Sequence, residues 1–108
     1  MSRKSDQAHR YPHVNYKLVS AAALPRLNGL LSRWLPSGRR IGAEWVACNP
    51  IRNDHAPGSF KINIRTGRWA DFATGDKGGD VVSLLAYLRG TSQSEAARLL
   101  ARELEVQP

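Results

Sequence analysis

The sequence predicts an α+β fold: a small antiparallel sheet of about three strands with one N-terminal helix and two C-terminal helices. Apolar residues first recur at spacings of three and four, which is the period of a helix with one buried face. A strictly alternating segment at 59–65 then has the period of a strand, and two apolar segments with helix-capping residues follow it. At 108 residues, the chain has the length of one compact domain.

The chain is predicted to begin with a disordered basic arm, residues 1–15, because this stretch is polar and shows no apolar periodicity. A single domain then covers residues 16–108. Its leading helix is expected to run from Ser20 to Pro36, since proline cannot continue a helix. The buried face of this helix is predicted to consist of Leu24, Leu27, Leu31 and Trp34.

Three strands are predicted in the middle of the chain. A short strand lies around Glu44 to Cys48, and a second one, Ser59 to Arg65, follows a loop with two prolines. Thr66-Gly67 is a turn signal, so Arg68 to Phe72 should return as an antiparallel partner. In the second strand the inward residues are Phe60, Ile62 and Ile64, and the outward residues are Lys61, Asn63 and Arg65.

The C-terminal part is predicted to form two helices. The segment 73–79 is too rich in glycine for regular structure, and it is either a tight entry into the next helix or a loop at which Lys77 meets a phosphate. Asp80 is expected to cap a helix that Gly90 ends, and Ser92 with Glu95 should open the last helix. The last helix is predicted to bury Ala96, Ala97, Leu100 and Leu104.

The charge of the chain favours a polyanionic partner. Sixteen Lys and Arg against nine Asp and Glu give +7, and residues 1–50 hold +6 of it. Twelve of the sixteen cations are Arg, whose planar guanidinium matches phosphate oxygens. Nucleic acid is therefore the predicted partner. The alternative is that arginine serves here only as a soluble cation.

The sequence argues against several classes of protein. It has no run of the roughly 18 apolar residues of a membrane span and no apolar secretory signal, so a cytoplasmic protein without membrane contact is predicted. The one cysteine, Cys48, has no disulfide partner and too few neighbouring ligands for a closed zinc site. A nucleophilic Cys48 would need a histidine oriented by a third group, and nothing marks His55, seven residues away, as that partner. The Asp residues are too scattered to hold catalytic metal ions. We therefore expect no catalysis, no metal and no cofactor.

The outward face of the predicted hairpin is the best candidate for a binding site. Lys61, Asn63 and Arg65 lie on one strand, and Arg68 and Trp69 begin the next. Cations that follow a phosphate backbone, together with a ring on which a base can stack, are typical of surfaces that bind single strands. This interpretation requires the Trp69 ring to point outwards. The alternative is that the ring lies in the core.

The stretch from Cys48 to Arg102 resembles the zinc-binding N-terminal domain of bacterial and phage DNA primases. That family has Cys-Pro-x-His, a Pro-Ser-Phe segment that opens a strand, aromatic-x-Cys-Phe-x-Cys-Gly, Lys-Gly-Gly-Asp before an apolar helix, and a helix marked by Glu-Ala. The counterparts here are Asn49-Pro50, Pro57 to Phe60, Trp69 to Gly75, Lys77 to Val82 and Ser94 to Ala97. The run from Arg68 to Asp80 and the leading helix ending in Trp-Leu-Pro are also similar to the N-terminal segments of primase-helicases from phages and integrating elements.

The metal ligands of that family are not matched. Asp71 and Thr74 stand where it has paired cysteines, the histidine position falls near Arg52, and Cys48 lies one residue before Asn49-Pro50. We therefore expect a zinc-ribbon-like domain without zinc, in which apolar burial replaces the metal as a source of stability. The residues expected to supply that burial are Leu27, Leu31, Trp34, Trp45 and Trp69.

The resemblance implies a module that recognises and positions single-stranded template DNA for a catalytic domain and has no polymerase chemistry of its own. The residues predicted to bind nucleic acid are Arg39, Arg40, Arg52, Lys61, Arg65, Arg68, Trp69 and Lys77. A second hypothesis gives the same fold another role. The chain would then be a protein-docking adaptor of a mobile-element replication complex that binds a helicase or a primase catalytic domain, with its charge serving solubility.

Overall fold

The computed structural model describes residues 15–52 and 58–105, and its architecture is α+β, as predicted. The leading segment comprises α1 (Tyr16–Ala23), a 3-10 turn (Leu24–Arg26) and α2 (Leu27–Trp34). The strands are β1 (Arg39–Ile41), β2 (Glu44–Ala47), β3 (Phe60–Asn63), β4 (Trp69–Asp71) and β5 (Lys77–Gly78), with a 3-10 turn (Pro50–Arg52) after β2. The C-terminal helices are α3 (Val81–Arg89) and α4 (Gln93–Leu104).

The leading helix begins earlier than expected and is interrupted once. Asn15, expected to be part of the arm, is the N-cap of α1, where its Oδ1 accepts a hydrogen bond from the amide of Leu18 at 3.0 Å. The interruption falls at Pro25, which has no N–H to donate, and the chain forms a 3-10 turn there before α2. The rest of the predicted arm, residues 1–14, lies outside the described residues.

The sheet is wider than predicted, with five antiparallel strands in the order β1-β2-β3-β4-β5. The three predicted strands are present, and the two additional ones lie at the edges. β5 falls in the segment expected to be irregular, and its register places Gly78 opposite Trp69. A side chain at Gly78 would not fit, because its Cβ would lie 2.6 Å from Cε2 of Trp69. Glycine therefore allows this edge strand to pass close to the indole.

The helices cover one face of the sheet, and the core lies between them. Its sheet side includes Trp45, Phe60, Ile62 and Trp69, all buried. The indole Nε1 of Trp69 donates to Ser83 Oγ on α3 at 2.9 Å, which joins the sheet to the helical layer. Within the helical layer, α4 packs against both α1 and α3. The predicted apolar face of α4 is buried as expected: Ala96, Ala97, Leu100 and Leu104.

The predicted ends of the C-terminal helices are confirmed. Asp80 Oδ1 accepts a hydrogen bond from the amide of Ser83 at 2.8 Å, and Gly90 ends α3 in the left-handed conformation at φ 68°. Ser92 Oγ accepts from the amide of Glu95 at 3.1 Å and opens α4. These hydrogen bonds fix where the two helices begin and where α3 ends.

Candidate nucleic-acid interface

The outer face of the sheet, opposite the helices, carries one row of residues that crosses all five strands. The pairing joins, in order, Arg39, Val46, Lys61, Ala70 and Lys77. Directly paired residues on neighbouring strands point to the same face. Three cations of this row, one on each edge strand and one on the central strand, therefore lie on the same face. We call the row of five residues the cation row.

A groove of about 580 Å³ lies on this face. The cations Lys61, Arg68 and Lys77 line it together with the aromatic Phe72, and the acidic Glu44 is also among its lining residues. The charged side chains of the groove therefore sum to +2. Its volume falls within the range of roughly 300–1,000 Å³ that is usual for ligand pockets.

Five of the eight residues predicted to bind nucleic acid lie on or near this face, four of them exposed and Lys61 half-buried. Lys61, Arg68 and Lys77 line the groove, and Arg39 lies at the β1 end of the cation row beside a second hollow of about 450 Å³. Arg65 is exposed in the turn between β3 and β4 and is not among the groove-lining residues. The structure thus brings together four of the predicted cations.

The other three predicted residues have different surroundings. Trp69 is only 6% exposed, so its ring belongs to the core and does not point outwards. The Nε of Arg40 donates to the carbonyl of Gly42 at 2.9 Å, which holds this side chain over the turn between β1 and β2. The guanidinium of Arg52 is in an ion pair with Asp71 at 2.7 Å. These contacts explain why neither arginine contributes a cation to the groove. Trp69 is among the groove-lining residues, but its side chain is buried.

The aromatic residue on the outer face is Phe72, which the sequence pattern did not single out. It is 70% exposed, and the Nζ of Lys61 lies 5.8 Å from the centroid of its ring. The signal that identifies it is the strand register, since Trp69 pairs with the inward-pointing Ile62. Alternation from an inward position 69 places position 72 on the outer side.

On the inner side of β4 lies a hydrogen-bonded group of polar residues that we call the Asp71 cluster: Asn49, Arg52, Ser59, Asp71 and Tyr87. The Asp71 carboxylate is fully buried and accepts hydrogen bonds from Arg52 Nε at 2.7 Å, Asn49 Nδ2 at 2.8 Å and the amide of Ala73 at 2.9 Å. Arg52 Nη2 also donates to Ser59 Oγ at 2.7 Å, and Asn49 Nδ2 to the Tyr87 hydroxyl at 2.8 Å.

The Asp71 cluster corrects one expectation about stability. Leu27, Leu31, Trp45 and Trp69 are buried as expected, and Trp34 is half-buried. At three of the positions matched to metal ligands, Asn49, Arg52 and Asp71, however, the structure has polar side chains that are hydrogen-bonded to one another. Apolar burial is therefore not the whole source of stability at this place, because buried polar groups need these partners.

The carboxyl group of Asp71 is held in its charged form. Burial raises its pKa, but the hydrogen bonds from Arg52, from Asn49 and from the amide of Ala73 lower it by more. The pKa of Asp71 is therefore well below the usual value for an aspartate.

The free energy of unfolding is expected to decrease as the pH falls from about 5 to about 2. The pKa of Asp71 is lower in the fold than in the unfolded chain, where it is about 3.9. Its contribution is therefore complete above the unfolded value and is lost as the pH falls towards the folded one. Urea denaturation over this pH range measures the effect, and Asp71→Asn should give a flatter profile than the wild type. Equal slopes for the two proteins would contradict this assignment.

Among the described residues, no three His, Cys, Asp or Glu side chains come together as a potential metal site. Cys48 is half-buried, and the three histidines, His9, His13 and His55, lie outside those residues. None of the helices at 15–52 and 58–105 is long and apolar enough to cross a membrane. No protein-family model and no curated protein matches the chain.

Proposed function

We propose that this chain is a nucleic-acid-binding module that holds single-stranded DNA against the outer face of its sheet. The observation that supports this function best is the cation row with its groove, where cations lie next to an exposed aromatic ring. Phosphates are attracted by the cations, and a base can stack on the ring. Within the described residues, these cations form no ion pairs, so their charge is available to a ligand: Arg39, Lys61, Arg68 and Lys77.

In this proposal the module is the non-catalytic, metal-free part of a primase or primase-helicase that presents a template strand to a catalytic domain. The positions that the primase resemblance assigns to metal ligands support it. Asn49, Arg52 and Asp71 are in direct contact, and the amide of Thr74 donates to the carbonyl of Asp71 at 3.2 Å. Three of the four positions that would surround one metal ion in that family are thus joined through their side chains in this chain, and the fourth, Thr74, is bonded to Asp71 through its backbone.

A salt titration tests the proposed function. Binding of a fluorescently labelled oligothymidylate, measured by anisotropy, should weaken steeply as the salt concentration rises. Each phosphate contact contributes roughly −0.7 to the slope of log affinity against log salt, so three or four cations give a slope of about −2 to −3. Failure to bind at roughly 50 mM salt would contradict the proposal.

The docking adaptor is the second candidate function. The observation that favours it is on α1, where two large side chains are exposed, Tyr16 by 38% and Leu18 by 54%. An adaptor that uses this helix has no need for the groove, so it should bind no oligonucleotide in the same titration. Oligonucleotide binding in the salt titration therefore distinguishes the two functions.

A further inference from the structure

Phe72 is an exposed ring on a fixed section of backbone. Its amide donates to the carbonyl of Ser59 at 2.8 Å, and the next residue, Ala73, donates its amide to the buried carboxylate of Asp71 at 2.9 Å. The amide of Gly75 returns to the carbonyl of Asp71 at 2.8 Å and closes the turn. With the backbone anchored on both sides, the ring stands at the groove without being covered by the core.

The groove beside the Phe72 ring is shallow because a small residue lies between its two lysines. Between Lys61 and Lys77, the cation row has only the methyl group of Ala70. This small side chain leaves a shallow space between the two lysines, and Phe72 lines the same groove. Lys61 lies over the ring at 5.8 Å, the distance of a cation–π contact, and Lys77 is on the opposite side of Ala70.

We infer that Phe72 is a base-stacking residue and that the groove is a subsite for one unpaired nucleobase, whose flanking phosphates lie at Lys61 and Lys77. This inference rests on the proposed function and adds the class of ligand. In a duplex each base is stacked between its neighbours and offers no free face to a protein ring. An unpaired base can turn out of the strand, and stacking of this kind accepts any base because every base has a π-face.

Replacement of the ring tests the subsite. Phe72→Ala is expected to weaken binding of a single-stranded oligonucleotide by about 5- to 150-fold, the range measured for loss of one stacked base. The slope against salt should not change, because no phosphate contact is removed. Binding to a duplex of the same length should also stay the same, so that the preference for the single strand is lost. Since the side chain is exposed, thermal unfolding serves to show that the variant is folded.

Two further proteins and one further ligand separate stacking from other effects. Phe72→Leu retains an apolar side chain without a π-face and should bind as weakly as Phe72→Ala, whereas Phe72→Tyr should bind like the wild type. An abasic oligonucleotide has the same phosphates and no bases. It should bind the wild type and Phe72→Ala equally.

Each outcome distinguishes this inference from the proposed function. If the wild type binds the single strand with the expected salt slope and Phe72→Ala binds equally well, the base subsite is wrong and the proposed function stands. If Phe72→Leu binds like the wild type, the contact is apolar and not stacking, and the inference is wrong. If the wild type binds no oligonucleotide at low salt, the proposed function is wrong and the base subsite with it.

Discussion

Replacing Asp71 by alanine is expected to lower the free energy of unfolding by about 3–5 kcal/mol, which is the usual cost of removing one partner from a buried ion pair. The carboxylate is fully buried and is the common acceptor for Arg52 and Asn49. Without it, the fully buried amide of Asn49 and the guanidinium of Arg52 lose that acceptor. Since domains of this size are stable by about 5–15 kcal/mol, the loss should be a large part of the total. Chemical denaturation at neutral pH measures it.

A neighbouring aspartate provides the control for this variant. Asp76 is exposed, and its carboxylate accepts a hydrogen bond from the Tyr87 hydroxyl at 2.8 Å. Asp76→Ala should therefore cost about 1 kcal/mol or less. If the two variants lost similar amounts of the free energy of unfolding, neither the burial of Asp71 nor its ion pair would account for its contribution to stability.

The ion pair can be isolated by a double-mutant cycle. Arg52→Ala, Asp71→Ala and the double variant are compared with the wild type. Because the two side chains are in contact, the double variant should lose about 0.5–3 kcal/mol less than the sum of the two single losses. Strict additivity would contradict a direct contribution of the pair.

The second large effect is expected from the groove. Changing Lys61, Arg68 and Lys77 together to glutamine should weaken binding of single-stranded DNA by about 100-fold, at roughly 1 kcal/mol for each exposed charge contact. The salt slope should become less negative by about 2, since three phosphate contacts at roughly 0.7 each are lost. The change lowers the net charge from +7 to +4. Anisotropy titrations at several salt concentrations give both quantities.

The helices offer a control with the same net charge. Arg89, Arg98 and Arg102 are exposed on α3 and α4 and do not line the groove. A variant with all three changed to glutamine also has a charge of +4, and it should retain nearly the affinity of the wild type. Equal losses in the two triple variants would show that the charge of the chain acts diffusely and that the groove is not the binding site.

The parts of the fold that the sequence predicts correctly are those with a local signal. The alternation around Phe60 and Ile62 identifies β3, and Asp80 and Gly90 identify the ends of α3 through their own hydrogen bonds and backbone angles. The edge strands have no such signal. β5 is two residues long, and it is defined by pairing with Trp69 and Ala70 across a turn. Only the three-dimensional register supplies that information.

The sequence predicts only part of the candidate site, because the rest depends on the register of the strands and on contacts between distant residues. Lys61, Arg68 and Lys77 stand out as cations near a predicted hairpin, and they do line the groove. The choice between Trp69 and Phe72 as the outward ring depends on the register between β3 and β4, which the sequence does not show. Arg52 is a cation in sequence, but whether it meets a ligand or an internal carboxylate depends on a residue 19 positions away.

The packing of α1 against α4 affects how the chain can fold during synthesis. Arg26 on the leading segment donates to the carbonyl of Leu104, 78 positions later, at 3.3 Å. The strands of the sheet are neighbours in sequence and can pair as soon as they are made. The buried face of α1, with Val19 and Ala23, has no α4 to cover it until α4 itself has left the ribosome. The packing of α1 is thus complete only after α4 has been made, and until then part of its apolar face is open to proteases and to aggregation.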